Sequence, residues 1–248
     1  MHLDVQDLRN FYYHSTLGRA VQRSIRSHVV KLWPDTTGQT VAGFGFAVPF
    51  LRPFLARSRR VVALMPAQQG VMPWPAGQPN ISLLTDERHW PLETGHVDRL
   101  IVAHGLETTN SVPSLMAEVS RVLGPGGRVM FIVPNRASLW SRSDLTPMGF
   151  GHPYTAGQLE NLLRLHGLSP ERQVATLFQP PSHLRFWIKS GPMLDRFGQY
   201  LPLIAGGVQL VEASKRYPPP QGTRIPSQIK QGYKILSGLG EKPVKPAL

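Results

Sequence analysis

The residues of this 248-residue chain that could do chemistry gather at the carboxyl ends of short apolar runs. Thr40 to Ala47 (TVAGFGFA) is one such run, threaded with glycines and followed by a helix from about Val48 to Ala56 that Pro49 can begin. A glycine turn between a strand and a helix lets a ligand approach the backbone N–H groups at the helix start. Arg60 to Met65 is a second run, closed by Pro66. Ile81 to Leu84 is a third, leading into Thr85, Asp86, Glu87, Arg88 and His89, and Val97 to Ala103 is a fourth, ending in His104, Gly105, Leu106 and Glu107. Other chemistries are excluded. There is no H-E-x-x-H, no cysteine and no close histidine spacing for zinc, no G-x-S-x-G nucleophile elbow, and no lysine in the glycine turn to make a phosphate-binding loop.

The elements that must position these residues centre on Val119 to Arg136 (VSRVLGPGGRVMFIVPNR). A helix ends at Leu123 because Gly124, Pro125, Gly126 and Gly127 cannot continue one, and Arg128 to Val133 is a buried strand bounded by those glycines and Pro134. With Val97 to Ala103 as the preceding parallel strand, this makes a βαβ unit. Further on, Tyr154 to Gly167 reads as a helix, Val174 to Phe178 as a sixth strand, Leu184 to Tyr200 as an amphipathic helix and Val208 to Ser214 as a seventh strand. Ahead of the sheet, residues 4–33 place apolar side chains at helical spacing in two pieces separated by Gly18. That segment is either a helical cap packed on the core or a lid whose Tyr12, Tyr13 and His14 close a ligand pocket. The expected organisation is an N-terminal cap over 1–37, an α/β domain over 38–216 with a helical insertion at 182–205, and a flexible basic tail over 217–248.

Lys and Arg outnumber Asp and Glu by 27 to 15, a net charge of +12 that favours polyanions such as RNA, acidic proteins or anionic lipid without specifying any. The excess is spread along the chain, so a merely basic surface is the alternative. No stretch approaches the roughly 18 apolar residues of a membrane span, and Asp4 and Asp7 precede any apolar run, unlike a secretory signal. With no cysteine to require oxidation, a soluble cytoplasmic protein is expected.

DRLIVAHGLE (98–107), followed by MAEVSRVLGPGGRVMFIVPN (116–135), resembles the class I S-adenosylmethionine-dependent methyltransferases, in particular the group called methyltransferase type 11. The resemblance runs over about residues 38–135, more loosely to Gly167. It rests on Asp98 opening the fourth strand, His104 and Glu107 beyond it, Glu118 in the next helix, and the R-V-L-x-P-G-G of Arg121 to Gly127. It implies a Rossmann-like, mostly parallel seven-stranded sheet of order 3-2-1-4-5-7-6 flanked by helices. It also implies S-adenosyl-L-methionine lying across the carboxyl ends of the first, second and fourth strands. The cofactor positions carried over are Gly43, Gly45, Ala47, Met65, Pro66, Asp86, Glu87 and His104, with no metal.

Two of these positions depart from the family pattern. Gly43 stands where an acidic residue orders the glycine turn, and Met65 where an acid accepts the ribose hydroxyls. Losing such a charged acceptor removes about 1.5–3 kcal/mol, or ten- to a hundredfold in affinity, unless Gln68 or Gln69 substitutes. Asp86, with Glu87 beside it, sits where an acid meets the adenine amino group; Asp86 reads equally as a loop or capping carboxylate. Methyl transfer from a sulfonium needs an oriented nucleophile and excluded water, and a base only when the acceptor must lose a proton. His104 is the candidate for that base, or else a polar residue beside the cofactor. His152 and Tyr154, and Arg136 and Arg142 for an anionic acceptor, are weaker candidates. The leading expectation is a methyltransferase of unknown acceptor. The alternative is a pseudoenzyme, a methyltransferase-like scaffold, RNA-associated or not, to which acids restored at 43 and 65 would return cofactor affinity.

Overall fold

The computed structural model describes residues 3–198 and 205–215, and the expected tail lies outside them. Seven strands form one sheet: β1 (Thr40–Gly45), β2 (Arg60–Pro66), β3 (Ser82–Thr85), β4 (Val97–Ala103), β5 (Leu123–Pro134), β6 (Leu168–Thr176) and β7 (Val208–Lys215). Their order is β3-β2-β1-β4-β5-β7-β6, as the resemblance implies. β1 to β5 pair in parallel, and β7 runs antiparallel to both β5 and β6.

Alternation along the buried strands builds two cores. Leu100 and Val102 of β4, with Val129, Phe131 and Val133 of β5, face the cluster holding Leu115, Val119 and Val122 of α4 (Val112–Val122) and Leu159 and Leu163 of α5 (Ala156–Leu165). Ile101, Met130 and Ile132 point to the other face. There they meet Leu17, Val21, Ile25 and Val29, the i, i+4, i+8, i+12 stripe of a 17-residue helix, Thr16–Leu32.

The residues that carry the family resemblance do structural work. Glu118 and Arg121 form a bidentate pair at 2.7 Å, while Glu118 also accepts from the Trp90 amide and Arg121 donates to the Trp90 and Leu92 carbonyls. They therefore fasten the loop that feeds β4. Asp98 accepts from the Thr40 amide at 2.8 Å, fixing where β1 enters beside β4.

Two expectations need correcting. The N-terminal helical pieces part at Ser15, not Gly18. Before the break lie α1 (Val5–Arg9) and a π-helical turn (Asn10–His14), and after it α2 (Thr16–Leu32), whose first turn Ser15 caps through the Gly18 amide. Gly18 is needed because any Cβ there would overlap the Phe11 carbonyl. The sixth strand begins at Leu168, not Val174, so Pro170 and two charged residues stand within it. β6 is the sheet edge, where Pro is tolerated. After it, α6 (Arg185–Gly198) crosses Pro192 unbroken.

Candidate functional site

The switch in strand order places the carboxyl ends of β1, β2 and β4 side by side, where the cofactor positions meet. Gly45 takes φ +78°, and its turn packs directly on β4 because the Phe46 amide donates to the Ala103 carbonyl at 2.8 Å. The next residue of β4's exit, His104, has φ +50°, a left-handed conformation that costs a non-glycine residue about 1–3 kcal/mol. Three contacts hold that bend. Gln69 Nε2 donates to the His104 carbonyl, Gln69 also reaches Thr108 Oγ1 at 3.0 Å, and the Thr108 hydroxyl donates to the same carbonyl at 2.9 Å.

Gly43, Gly45, Ala47, Met65, Pro66 and His104 are all buried without any ligand. The chain's own N-terminal segment covers them. The Val5 amide donates to the Gln69 carbonyl at 2.7 Å, and the π-helical turn drives Tyr12 inward until it is 1% exposed. Its ring lies nearly parallel to Phe46 at 5.8 Å and edge-on to Phe50 and Phe11, and its hydroxyl meets His104 Nε2 at 2.7 Å. Beside Tyr12 and His104 only about 10 Å³ remains, at the lower limit for one water and far below the roughly 300–1,000 Å³ of a small-molecule site.

The departures from the family pattern are built into this packing. A Cβ on Gly43 would come within 2.6 Å of Leu51 Cδ1 and 2.7 Å of Ala47 Cβ, so an acid placed there requires these neighbours to shift. The Met65 sulfur accepts from the Met72 amide at 3.4 Å. Of the two glutamines, Gln68 is exposed and Gln69 is buried with its Nε2 committed to the His104 bend.

At the same place a buried charge waits for a partner. Both carboxylate oxygens of Glu107, 1% exposed, lack a hydrogen bond among the described residues, although His104 Nδ1 stands 3.1 Å away without the alignment of one. Burial, then the Glu107 charge, pushes the hydroxyls of Tyr12 and Tyr154 above the ordinary tyrosine range. Tyr12, His104 and Glu107 thus form a buried row of hydroxyl, imidazole and carboxylate. The loop after β5 closes on it from the other side, the His152 amide donating to the Glu107 carbonyl at 2.8 Å.

The remaining candidates are engaged in local contacts. Asp86 is exposed and accepts from the Arg88 amide at 2.7 Å, and Glu87 is buried on Thr109 and the Asn110 amide. Both stabilise loops. The Arg136 amide donates to the Tyr154 carbonyl and its own carbonyl accepts from Ser141 Oγ, and Arg142 lies in a 3-10 turn. No metal-binding group of His, Cys, Asp or Glu occurs among the described residues.

Residues 42–131 match the family model described as a methyltransferase domain. A methyltransferase described as S-adenosylmethionine-dependent and as a possible histamine N-methyltransferase, from Thermotoga maritima, superposes with a TM-score of 0.58 at 16% identity, over 86% of this chain and 96% of its own. Geranyl diphosphate C-methyltransferase from Streptomyces coelicolor, solved with S-adenosyl-L-homocysteine, gives 0.52 at 15% identity over 77% of each chain. The [4+2]-cyclase SpnF gives 0.55 at 16% identity over 81% of this chain and 83% of its own. No curated protein matches the chain. Residues 42–131 thus match a methyltransferase domain model, and the sheet order together with these superpositions gives the chain the class I methyltransferase fold.

Proposed function

We propose that the protein is an S-adenosylmethionine-dependent methyltransferase whose crevice is held shut, in the ligand-free chain, by its own N-terminal segment. The observation that carries this reading is Glu107, a carboxylate with no hydrogen-bond partner among the described residues, at the carboxyl end of β4. Such a group is costly to bury and is satisfied by a cation. The cofactor, when bound, supplies an activated methyl group on a positively charged sulfur. Glu107 would pair with the ligand's positive charge, and His104, with Tyr12 withdrawn from its Nε2, would take a proton from an acceptor that must lose one. The N-terminal segment excludes water while closed. Calorimetric titration with S-adenosylmethionine and S-adenosylhomocysteine tests the reading, and absence of heat at millimolar ligand, in the natural chain and in Tyr12→Ala alike, overturns it.

A second reading has its own support in Gly43, Met65 and the filled crevice: a methyltransferase-fold scaffold that no longer binds the cofactor. That reading requires Tyr12→Ala to be as inert toward the cofactor as the natural chain. The net charge of +12 supports RNA or an acidic protein as partner under either reading. Binding to RNA then weakens steeply as salt rises. We also infer a cytoplasmic location, supported by the absence of cysteine; no helix among the described residues is long and apolar enough to cross a membrane.

A further inference from the structure

On the face of the sheet that carries α2, α2 and α6 enclose a cavity of about 750 Å³, within the range of small-molecule sites. Each helix contributes one stripe. Ala20, Arg23, Ser24, Ser27, His28 and Lys31 follow helical spacing on α2, and Ile188, Gly191, Pro192, Asp195 and Arg196 do so on α6. Asp195 ties α6 to α2 and to the end of β6: it accepts from Ser24, from Thr176 at 2.9 Å and from the Leu177 and Phe178 amides at 2.8 and 3.1 Å. Four donors thereby occupy the cavity's one carboxylate. Its cations are differently placed, since Arg23 and Lys31 make no hydrogen bond or ion pair among the described residues. Burial pushes the His28 imidazole below its ordinary range, with Asp195 opposing and Lys31 adding.

The floor supplies a second, independent observation. Gln179 is 3% exposed and its Oε1 has no hydrogen-bond partner among the described residues. Gly191 lies directly against that amide, where an added Cβ would stand 3.2 Å from Nε2. An orphaned buried acceptor calls for an N–H or O–H donor. Ala20, Ile188 and Pro192 provide apolar wall.

We propose that this cavity is a binding site for an amphiphilic organic anion that also carries a hydrogen-bond donor, its anionic head toward Arg23 and Lys31, its donor on Gln179 and its apolar body between α2 and α6. The carboxylate or phosphate of the head is common chemistry that the site does not distinguish by itself. This site stands independently of methyl transfer.

N-octanoylglycine, which has a carboxylate, an amide N–H and an alkyl chain, is the probe, titrated calorimetrically into the full chain beside decanoate and octyl phosphate. Submillimolar binding is expected, weakened at least tenfold by the double substitution Arg23→Ala/Lys31→Ala and abolished by Ala20→Phe, which fills the cavity. Decanoate, lacking the donor, binds about tenfold more weakly, and Gln179→Met removes that difference while leaving decanoate unchanged. Octyl phosphate binding as tightly as octanoylglycine assigns the head preference to phosphate. Three results overturn the proposal: no heat with any of these probes at millimolar concentration, binding indifferent to both the Arg23/Lys31 and the Ala20 variants, or binding lost only when the exposed α6 side chains are changed in Phe186→Ser/Met193→Ser.

Discussion

Tyr12→Ala is the most informative perturbation, because it separates an enzyme that is closed from a fold that is filled. Truncating a large buried aromatic side chain costs about 3–5 kcal/mol. Tyr12, 1% exposed and packed against three aromatic rings, belongs in that class. In the proposed cycle the loss falls on the closed form alone, since Tyr12 has left its site in the open one. The competent fraction therefore rises, and apparent affinity rises with it. At about 1.4 kcal/mol per tenfold, a loss of about 3 kcal/mol tightens S-adenosylhomocysteine binding about a hundredfold, until the open form predominates. Tyr12→Phe, which leaves His104 Nε2 without its hydroxyl, sits between, at about tenfold. Isothermal titration calorimetry reads the affinities, and urea unfolding reads the accompanying destabilisation. Phe131→Ala is the control, a buried aromatic of the opposite core whose loss weakens the whole fold without favouring the open form. The reasoning fails if folded Tyr12→Ala binds no more tightly than the natural chain, or if Phe131→Ala tightens binding equally.

Glu107→Gln removes a buried charge that lacks a hydrogen bond, so urea unfolding at neutral pH should show the variant about 1 kcal/mol more stable, while its binding of S-adenosylmethionine falls at least tenfold. Glu212 is buried on β7, and although burial pushes its carboxyl up, hydrogen bonds from Arg172, Trp33 and Arg128 outweigh that and hold it below the ordinary carboxylate range. Its contribution is therefore complete above the unfolded value of about 4.3 and disappears as pH falls through the depressed folded value. Acid titration followed by circular dichroism should show Glu212→Gln losing that dependence. Gly18→Ala presses a methyl into the Phe11 carbonyl, and a drop in melting temperature equivalent to at least 1 kcal/mol is expected. Because the strain lies at the junction that seats Tyr12, the same substitution should also raise cofactor affinity in calorimetry.

Alternating strand and helix patterns with glycine punctuation were enough to place β4 at its observed bounds, whereas the order of the sheet came from the family resemblance and not from the patterns. β6 was legible only in its last three residues, Val174 to Thr176. The six before them, Leu168 to Gln173, carry Pro170, Glu171 and Arg172, which an edge strand accepts and a buried strand does not. At the site, His104 was legible from its place after a strand, and Glu107 only as part of the family motif. A lid bearing Tyr12 was one of two readings of the N-terminal segment, but its partner His104 lies 92 residues away and no periodicity encodes that meeting. Phe46 was likewise hidden, since it reads as one more apolar residue in a glycine-rich run, while Gln69 was singled out as a ribose acceptor and not as the donor to the His104 bend. Gly18 misleads for a related reason, since a glycine inside a helical pattern suggests interruption when its use here is to admit another segment's carbonyl.

Gly43 carries a consequence for engineering this domain. A side chain there meets Leu51 Cδ1 at 2.6 Å and Ala47 Cβ at 2.7 Å, so space has to be made on two residues of the following turn at once. Rebuilding an acid at position 43 is thus a three-residue design problem, in which the carboxylate arrives together with smaller neighbours at 47 and 51.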